Sequence, residues 1–180
     1  MSSLNRLILK GALFLILGLI FTGCGIYSFT GATIKPDTKT VYIGIFENTA
    51  RLVVPSLSQK LTEALKNQVL NGSSLSQVRD PALGDVIFEG QVTDYTVQPV
   101  AITGGGVGNT QSTSQSTRLT ITINIKFTDK KHPENSFDQS FSRYEDFGSD
   151  KNLSSVEQGL IDDINKLLIQ DIYNRAFVNW

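Results

Sequence analysis

The chain contains one cysteine, Cys24, and one histidine, His132, far apart in the sequence. A disulfide requires two cysteines, a zinc site usually needs several cysteine or histidine ligands, and a catalytic thiol usually needs a histidine nearby. These residue types at this spacing therefore indicate none of the three sites. We expect no cofactor, and the surroundings of Cys24 must explain its position.

The residues before Cys24 have the pattern of a secretory signal. Arg6 and Lys10 flank the start of an apolar run, GALFLILGLIF at 11–21, and small residues lead into the cysteine. A basic segment, a short apolar segment and small residues before a cleavage site are typical of a signal peptide, and a membrane span needs about 20 apolar residues. A signal that ends in cysteine resembles the bacterial lipobox, in which the thiol receives a diacylglyceryl group and the chain is cut before it.

This pattern predicts covalent diacylglyceryl and N-acyl lipid, such as palmitate, on Cys24. Each buried CH₂ contributes about 0.8 kcal/mol, so several acyl chains hold a protein firmly where one holds it only marginally. Phe21 stands where the lipobox usually has leucine. The alternative is an uncut N-terminal anchor with an incidental cysteine. Gly25, in place of an aspartate that would retain the protein in the inner membrane, favours a lipid-anchored location on the periplasmic side of the outer membrane.

Composition limits the classes of protein that remain. Removing residues 1–23 leaves 157 residues with 14 basic and 17 acidic side chains, a net charge of −3. That length suits one domain with its own core, and the negative charge argues against nucleic-acid binding. We predict a lipoprotein signal peptide at 1–23, a lipidated tether at 24–39 and an α+β domain at 40–180.

Two further motifs have little chemical content. GGGVG at 104–108 is not followed by Lys-Ser/Thr and opens no helix, so we interpret it as a flexible hairpin loop and not as a phosphate-binding loop. His132 precedes Pro133 in a turn, and we expect it to be an exposed loop residue.

The acidic pairs Glu145-Asp146 and Asp162-Asp163 are not catalytic dyads. Adjacent side chains point to opposite faces of a strand and about 100° apart on a helix, whereas hydrolytic carboxylates must meet in one pocket. No Gly-x-Ser-x-Gly elbow and no cluster of metal ligands occurs in the sequence. We therefore interpret the protein as not an enzyme.

The first half of the domain has the pattern of a strand followed by a helix. TVYIGIF at 40–46 is rich in β-formers, with Val41, Ile43 and Ile45 expected on one face. A helix is predicted from about Pro55 to Asn71-Gly72. The S-x-x-Q spacing near its start is that of a capping box. The members of that box are Ser56 and Gln59.

The second half predicts three long strands and a long helix. The strands at 85–100, 117–129 and 136–147 are joined by non-helical connections, which favours an antiparallel meander. The middle strand alternates cleanly between apolar and polar residues, as expected when one face is buried. The last helix, from about Leu153 to Ala176, is given a second capping box. Its members are Ser154 and Glu157.

This helix has an apolar stripe, and the order of elements indicates the fold class. The stripe consists of Val156, Leu160, Ile161, Ile164, Leu167, Leu168 and Ile172. The order is β-α-β-β-β-α, which predicts a two-layer α+β sandwich with an antiparallel or mixed four-stranded sheet and two helices on one face. The terminal AFVNW, 176–180, ends on Phe177, Val178 and Trp180, which we expect to cap the core.

Several stretches resemble one known family. CGIYSFTGA after the signal, VYIGIFENTARLVVPSLSQKLTEALKNQ, RLTITINIKFTD, QSFSRYEDF and NRAFVNW are together similar to the LptE lipoproteins of Bacteroidota-type bacteria. The resemblance covers nearly the whole mature chain. It implies an outer-membrane lipoprotein that sits as a plug inside the LptD β-barrel, binds lipopolysaccharide and helps insert it into the outer leaflet.

If the resemblance holds, the polar sheet face and the 103–116 loop are the expected contacts with an LptD-like barrel, because a barrel lumen is polar. The bland interpretation of that face is an ordinary solvated surface. Basic residues on the strands and in the 130–135 turn are candidates for a patch that binds lipid A phosphates. The alternative is that they contribute to solubility and pair with Asp129, Glu134 or Asp138. The candidates are Arg118, Lys126, Lys130, Lys131 and Arg143.

Two other functions remain open. VYIGIFEN followed by a helix also resembles lipoproteins of the CsgG and penicillin-binding-protein-activator type, which form secretion pores or activate cell-wall synthases. A scaffolding lipoprotein without a lipid substrate is the second alternative. A pore would be a large homo-oligomer, a plug would purify with one large barrel, and a scaffold would not bind lipopolysaccharide.

Overall fold

The structure is a computed structural model and describes residues 34–103 and 113–178. Residues 32–180 form one compact unit. The predictions for the signal segment, for Cys24 and the first part of the tether, for the 104–112 part of the loop and for Trp180 lie outside the described residues.

The predicted order of long elements is confirmed, with two additional short strands. The elements are β1 (Thr40–Ile43), β2 (Glu47–Asn48), α1 (Pro55–Gly72), β3 (Ser76–Gln77), β4 (Val86–Thr103), β5 (Thr113–Asp129), β6 (Phe137–Gly148) and α2 (Leu153–Phe177). Short 3-10 turns at Pro81–Leu83 and Pro133–Asn135 precede β4 and β6. The fold class, α+β with a mixed sheet and two helices, is the predicted one.

One mixed sheet contains all the described strands, in the order β3-β1-β4-β5-β6. β1 runs parallel to β3 and to β4, and β2 continues along the same edge of β4. β4, β5 and β6 form the predicted antiparallel meander, in which Phe88 is opposite Phe127 and Phe127 is opposite Phe137. The parallel part arises because α1 carries the chain back to the end of the sheet where β1 began.

Both helices cover the same face of the sheet. The inward side chains of β1, β4 and β5 and the inner faces of α1 and α2 belong to a single buried cluster. On β5 every second residue contributes to it, as the alternation predicted. The fully buried β5 residues are Leu119, Ile121, Ile123 and Ile125.

The prediction for the first strand is wrong in one respect. Ile45 does not share the face of Val41 and Ile43, because β1 ends at Ile43 and Ile45 is 77% exposed. The next residue, Phe46, turns into the core instead and is fully buried. It lies against Gly90, where an added Cβ would come 2.7 Å from the Phe46 ring. The glycine leaves the space that this ring needs.

Both predicted capping boxes are wrong. The N-cap of α1 is Val54, which makes no side-chain cap bond, and the helix begins at Pro55, whose missing N–H needs no partner there. The N-cap of α2 is Asn152, whose Oδ1 accepts from the Ser154 N–H at 3.2 Å. An asparagine is as good an N-cap as a serine, and the observed cap lies two residues before the predicted one.

The predicted apolar stripe of α2 is partly correct. Ile161, Ile164, Leu168 and Ile172 are buried, whereas Leu167 is 36% exposed. Polar and aromatic residues that the apolar count passed over complete the buried face. They are Asn165, Tyr173 and Phe177, together with Ile169.

The end of α2 packs into the core, as predicted for Phe177. Its ring lies 5.9 Å from the rings of both Phe88 and Phe127 and 5.3 Å from that of Tyr173, measured between centroids. These aromatic contacts seal the end of the sheet where β4 starts and β5 finishes. We call this end of the domain the base.

The opposite end carries a longer hairpin than predicted. β4 reaches Thr103 and β5 starts at Thr113, where the two residues pair directly. The predicted 103–116 loop is therefore β-structure at Thr103 and at 113–116. Eighteen strand residues extend over roughly 55–60 Å at about 3.3 Å per residue, whereas the 25 residues of α2 extend over about 37 Å.

Candidate partner-binding face

The sheet has one face that none of the described helices covers, and we call it the open face. The strand register places alternate residues of β4, β5 and β6 side by side on it, opposite the buried positions. They are Ile87, Glu89, Gln91, Asp94, Thr96 and Gln98 of β4; Ser116, Arg118, Thr120, Thr122, Asn124, Lys126 and Thr128 of β5; and Asp138, Ser140, Ser142, Tyr144 and Asp146 of β6.

The middle of the open face is polar and carries one charge. Gln91, Asn124 and Ser140 form an uncharged row across the three strands, and the next row consists of Asp94, Thr122 and Ser142. The hydroxyls of Thr122 and Ser142 lie 3.0 Å apart. Amides and hydroxyls both donate and accept hydrogen bonds. They can therefore meet another polar surface without the large cost of stripping water from an ion.

Arg118 lies at the distal end of the open face and is held on two sides. Its Nε and Nη2 donate to the two carboxylate oxygens of Asp146 at 2.7 and 2.8 Å. Its guanidinium also lies over the Tyr144 ring, with Cζ 3.6 Å from the centroid. The bidentate bond lowers the pKa of Asp146 and raises that of Arg118. Asp146 occupies the Nε–Nη2 edge of the guanidinium, so a phosphate at this position is left with the remaining N–H groups.

Lys126 lies toward the base on the same face, between two acids. The register sets Glu89 on one side of it and Asp138 on the other. Lys126 and Arg118 are eight residues apart on β5, about 27 Å along the strand, so the two cations are not parts of one phosphate site. The open face as a whole carries more carboxylates than cations.

Arg143 is not on the open face. It pairs with Ile121, a buried position, and therefore points to the helix side of the edge strand. There its Nε and Nη2 donate to the carboxylate of Asp171 on α2 at 2.6 and 2.8 Å, which raises the pKa of Arg143. Arg143 therefore does not share a surface with Arg118 and Lys126, and the five basic candidates do not form one patch. Alternation along β6 could have shown this once the register was known.

Lys130 binds backbone in the base. Its ammonium donates to the carbonyls of Pro81 and Ala82 at 2.7 and 2.9 Å. These carbonyls belong to the short 3-10 turn that leads into β4. Lys130 therefore joins the turn that precedes β4 to the turn that follows β5, both at the base of the β4–β5 pair.

Lys131 and His132 bind carboxylates that come from distant parts of the chain. The Lys131 ammonium lies 3.1 Å from Asp85 Oδ1, and His132 Nε2 lies 3.1 Å from both carboxylate oxygens of Asp37. The His132 side chain is only 19% exposed, so the expectation of an exposed loop histidine is wrong. Its bond to Asp37 also lowers the pKa of that carboxyl group.

These contacts attach the end of the predicted tether to the folded domain. Thr38 is 6% exposed, and Lys35 lies 3.4 Å from Glu134 in the 130–135 turn. Asp85 accepts from the N–H groups of Lys39 and Thr40 at 2.8 and 3.0 Å. We call Lys131, His132, Asp37 and Asp85 the base clasp.

Asp85 is the strongest acid of the base clasp. The bond from the Lys39 N–H is the largest influence on it, with Lys131 and Thr40 contributing, and the pKa falls to about 2. Sequence reasoning missed Asp37 and Asp85 because both lie more than 40 residues from their partners, and no local spacing connects them.

Within residues 34–103 and 113–178, no three histidine, cysteine, aspartate or glutamate side chains are placed to hold a metal ion. Within the same residues, no helix combines the length and the apolar content needed to cross a membrane.

A comparison with protein-family models identifies one family. The model of LptE, lipopolysaccharide-assembly, matches residues 38–176. This range starts at Thr38, next to Asp37 of the base clasp, and ends at Ala176 in the last turn of α2. No curated protein matches the sequence.

Solved structures that are similar to this chain come from several bacteria. A neuraminyllactose-binding hemagglutinin homologue from Helicobacter pylori aligns over 82% of this chain and 88% of its own, with 10% identity and a TM-score of 0.52. A hypothetical protein from Chlamydia trachomatis aligns over 79% and 99%, with 9% identity and a TM-score of 0.50. The rare lipoprotein B from Shewanella oneidensis aligns over 76% and 90%, with 7% identity and a TM-score of 0.42. At these identities the first two likenesses show the fold alone.

Proposed function

The chain belongs to the LptE family of lipopolysaccharide-assembly proteins, and on that premise we propose that it is the non-catalytic partner of an LptD-like outer-membrane β-barrel. In this role it plugs the barrel, assists its assembly and hands over lipopolysaccharide for insertion into the outer leaflet. The observation that carries the proposal is the open face of the sheet.

The open face suits the inside of a barrel. A β-barrel lumen is polar, and the middle rows of the open face present amides and hydroxyls with Asp94 as their one charged group. At the distal end the charge of Arg118 is matched across strands by Asp146. Such a face can form many hydrogen bonds to a polar wall at low desolvation cost. The β4–β5 hairpin, at the end of the sheet opposite the base, provides a second surface for contact with the barrel.

The lipid on Cys24 completes the proposal. Nine residues lie between Cys24 and Ile34, the first described residue, so the two can be at most about 35 Å apart. Because the base clasp binds residues 35–39, the base would stay close to the periplasmic surface of the outer membrane. The barrel partner is then within reach of the domain without diffusion through the periplasm.

Lipopolysaccharide binding through the basic residues remains a prediction with a revised geometry. Lys130 and Lys131 are already bound in the base, and Arg118 is bound to Asp146. Lys126 is the candidate that is exposed on the open face with no ion pair among the described residues. We therefore expect Lys126→Gln to weaken lipopolysaccharide binding more than Arg143→Gln, whose partner is Asp171 on the helix side.

Site-specific photocrosslinking tests the proposed contact. A photoreactive amino acid replaces Asn124, in the middle of the open face, and in a matched strain it replaces Gln170, which is exposed on α2. We expect irradiation of living cells to join the first variant to a large outer-membrane barrel and to give a weaker or different product with the second. Equal crosslinking at both positions would refute the open face as the contact.

The same cells distinguish the alternatives. A secretion pore or ring would give crosslinked multimers of this chain from the open face. A synthase activator would give a product with a cell-wall enzyme. Either product in place of a barrel would replace the proposed function.

A further inference from the structure

The two edges of the sheet are protected to different degrees. On one side β2 and β3 have two residues each, and the neighbouring long strand, β4, carries a bulge between Val92 and Asp94 and a proline at Pro99. Short strands, bulges and prolines are devices that prevent another chain from adding a strand to a sheet. This side of the sheet is therefore closed to strand addition.

β6 forms the other edge and has none of these devices. Its twelve residues pair with β5 in one unbroken register, and they include neither proline nor lysine. Among residues 34–103 and 113–178, no strand other than β5 pairs with β6. A long, regular edge strand presents a row of outward N–H and C=O groups, to which an extended chain can add as a further strand.

The charges of β6 determine which strand fits it. Arg143 and Glu145 are opposite the buried residues Ile121 and Leu119, so both side chains are on the helix side of the edge. Glu145 forms no ion pair in the described part of the chain. The bond of Arg143 to Asp171 uses Nε and Nη2 and leaves the Nη1 donors. A matching strand therefore presents an acid to Arg143 and a base to Glu145, two residues apart. A second copy of β6, running antiparallel, presents both.

We propose that two copies of this chain, in the absence of the barrel, join edge to edge through β6 around a two-fold axis at Tyr144. Residues opposite each other across an antiparallel pair share a face of the sheet. In this register Arg143 of each copy lies opposite Glu145 of the other, and Phe141 lies opposite Phe147. The two-fold axis makes each of these contacts occur twice.

Other positions of the axis give poorer matches. Because opposite residues share a face, the axis passes through a residue and not between two. One residue to either side of Tyr144, it sets the two arginines or the two glutamates opposite each other, and at Ser142 it sets Asp138 opposite Asp146. Like charges directly opposite destabilise a strand pair. An axis at Phe141 opposes no like charges, but it leaves both glutamates opposite a phenylalanine.

The contact stops at two copies. The same edge serves both partners, so the interface is used up when two chains have paired. Since the other side of the sheet is closed to strand addition, neither a ring nor a fibre grows from the dimer. The contact also lies at the edge of the sheet, so both open faces remain uncovered on one side of the joined sheet.

Charge reversal tests the ion pairs in the full-length lipoprotein, purified in detergent away from the barrel. Sedimentation velocity measures the share of dimer. Glu145→Arg sets an arginine opposite Arg143 at both sites, and we expect it to weaken the dimer at least tenfold. Asp163→Arg is the matched control, because it makes the same change at an exposed position of α2 and should leave the dimer unchanged.

A mixture of two variants makes this test specific for the pairing. Arg143→Glu alone sets two glutamates opposite each other at both sites and should also weaken the dimer at least tenfold. In an equal mixture with Glu145→Arg, every base again lies opposite an acid. Mixed dimers should therefore form about as well as wild-type dimers.

A disulfide tests the position of the axis. Tyr144→Cys places two thiols opposite each other, where Cβ atoms are about 4.5–5.5 Å apart, close to the reach of a disulfide. We expect at least tenfold more oxidised dimer than from Ser140→Cys, an exposed position on the same face. The wild type, with Cys24 alone, should give none. This measurement remains informative if Arg143→Glu fails to fold without its bond to Asp171.

Three results would overturn the proposal: a wild type that stays monomeric in sedimentation, dimers that survive Glu145→Arg, or equal yields of disulfide from Tyr144→Cys and Ser140→Cys. None of them bears on the proposed function, because the β6 contact concerns the chain without its barrel. Co-purification with the barrel tests that function separately.

Discussion

Asp85 links the start of β1, the base clasp and the basic turn through a single carboxylate. It accepts two backbone N–H groups and lies against the Lys131 ammonium. All of these contacts favour the charged carboxylate, which is why its pKa falls from 3.8 to about 2. The residue is therefore a stabilising contact whose contribution depends on pH.

The sign of this dependence follows from the lowered pKa. The folded state holds the Asp85 proton less tightly than the unfolded state, so the stabilisation is present above pH 4 and is lost as the pH falls from about 4 to about 2. Asp85→Asn should lower the free energy of unfolding at pH 7 by about 1 kcal/mol after screening by solvent. Urea unfolding at a series of pH values measures this, and an unchanged slope between pH 4 and pH 2 in the variant would contradict it.

Gly90 is a second residue with a specific structural role. A Cβ at this position would lie 2.7 Å from Ile125 Cδ1 and 2.7 Å from Phe46 Cε1, both of which are fully buried. We expect Gly90→Ala to destabilise the domain by about 1–3 kcal/mol, the usual cost of overpacking a core. Gly159→Ala is the matched control, because nothing lies within 4 Å of a Cβ there. Thermal unfolding compares the two variants, and equal melting temperatures would contradict the packing.

At the scale of elements, the long helix begins at a cap that the sequence pattern did not single out. Asn152 Oδ1 accepts from the backbone N–H of Ser154, and Ser154 is already inside the helix. Asn152→Ala should therefore cost about 1 kcal/mol of stability, whereas Ser154→Ala should cost a few tenths. Chemical denaturation of both variants decides between the caps. A larger loss for Ser154→Ala would restore the capping box.

The elements also show which predictions a sequence can support. Alternation along β5 predicted its buried face correctly, because a side-chain period of two is a local property. The end of β1 at Ile43 was not predictable, since it depends on Phe46 packing against Gly90 in another strand. The prediction of the helix caps failed for a related reason. Ser, Thr and Asn are nearly equivalent N-caps, and the fold determines which of several nearby polar residues takes the cap position.

The candidate cations show the same limit. The sequence identified Lys131 and Arg143 as candidate cations. Their partners, Asp85 and Asp171, are determined by the turns and by the strand register. Pairing of distant segments decides whether a lysine is available to a ligand. That information is tertiary, and spacing along the chain does not contain it.

At the scale of the whole molecule, the domain has three surfaces with different chemistry. The base holds residues 35–39 through the base clasp. The open face presents polar rows with Asp94 as the one charge in their middle, and the helix layer on the other side carries a groove between α1 and α2. A protein that is anchored at one end and bound by a barrel across one face would leave the helix layer uncovered.

The central claim is that the open face holds the barrel. The direct test is co-purification of the tagged, full-length lipoprotein from outer membranes, with two arginines placed in the uncharged row by Asn124→Arg and Ser140→Arg. Gln170→Arg with Gln158→Arg on α2 adds the same charge to exposed positions of the helix layer.

We expect the wild type and the α2 control to bring down an LptD-like barrel in a one-to-one ratio. The open-face variant should lose at least nine-tenths of it while keeping its melting temperature, because two unmatched charges would then face a polar wall that has no partner for them. Retention of the barrel by the open-face variant, or its loss from the α2 control alone, would contradict the account.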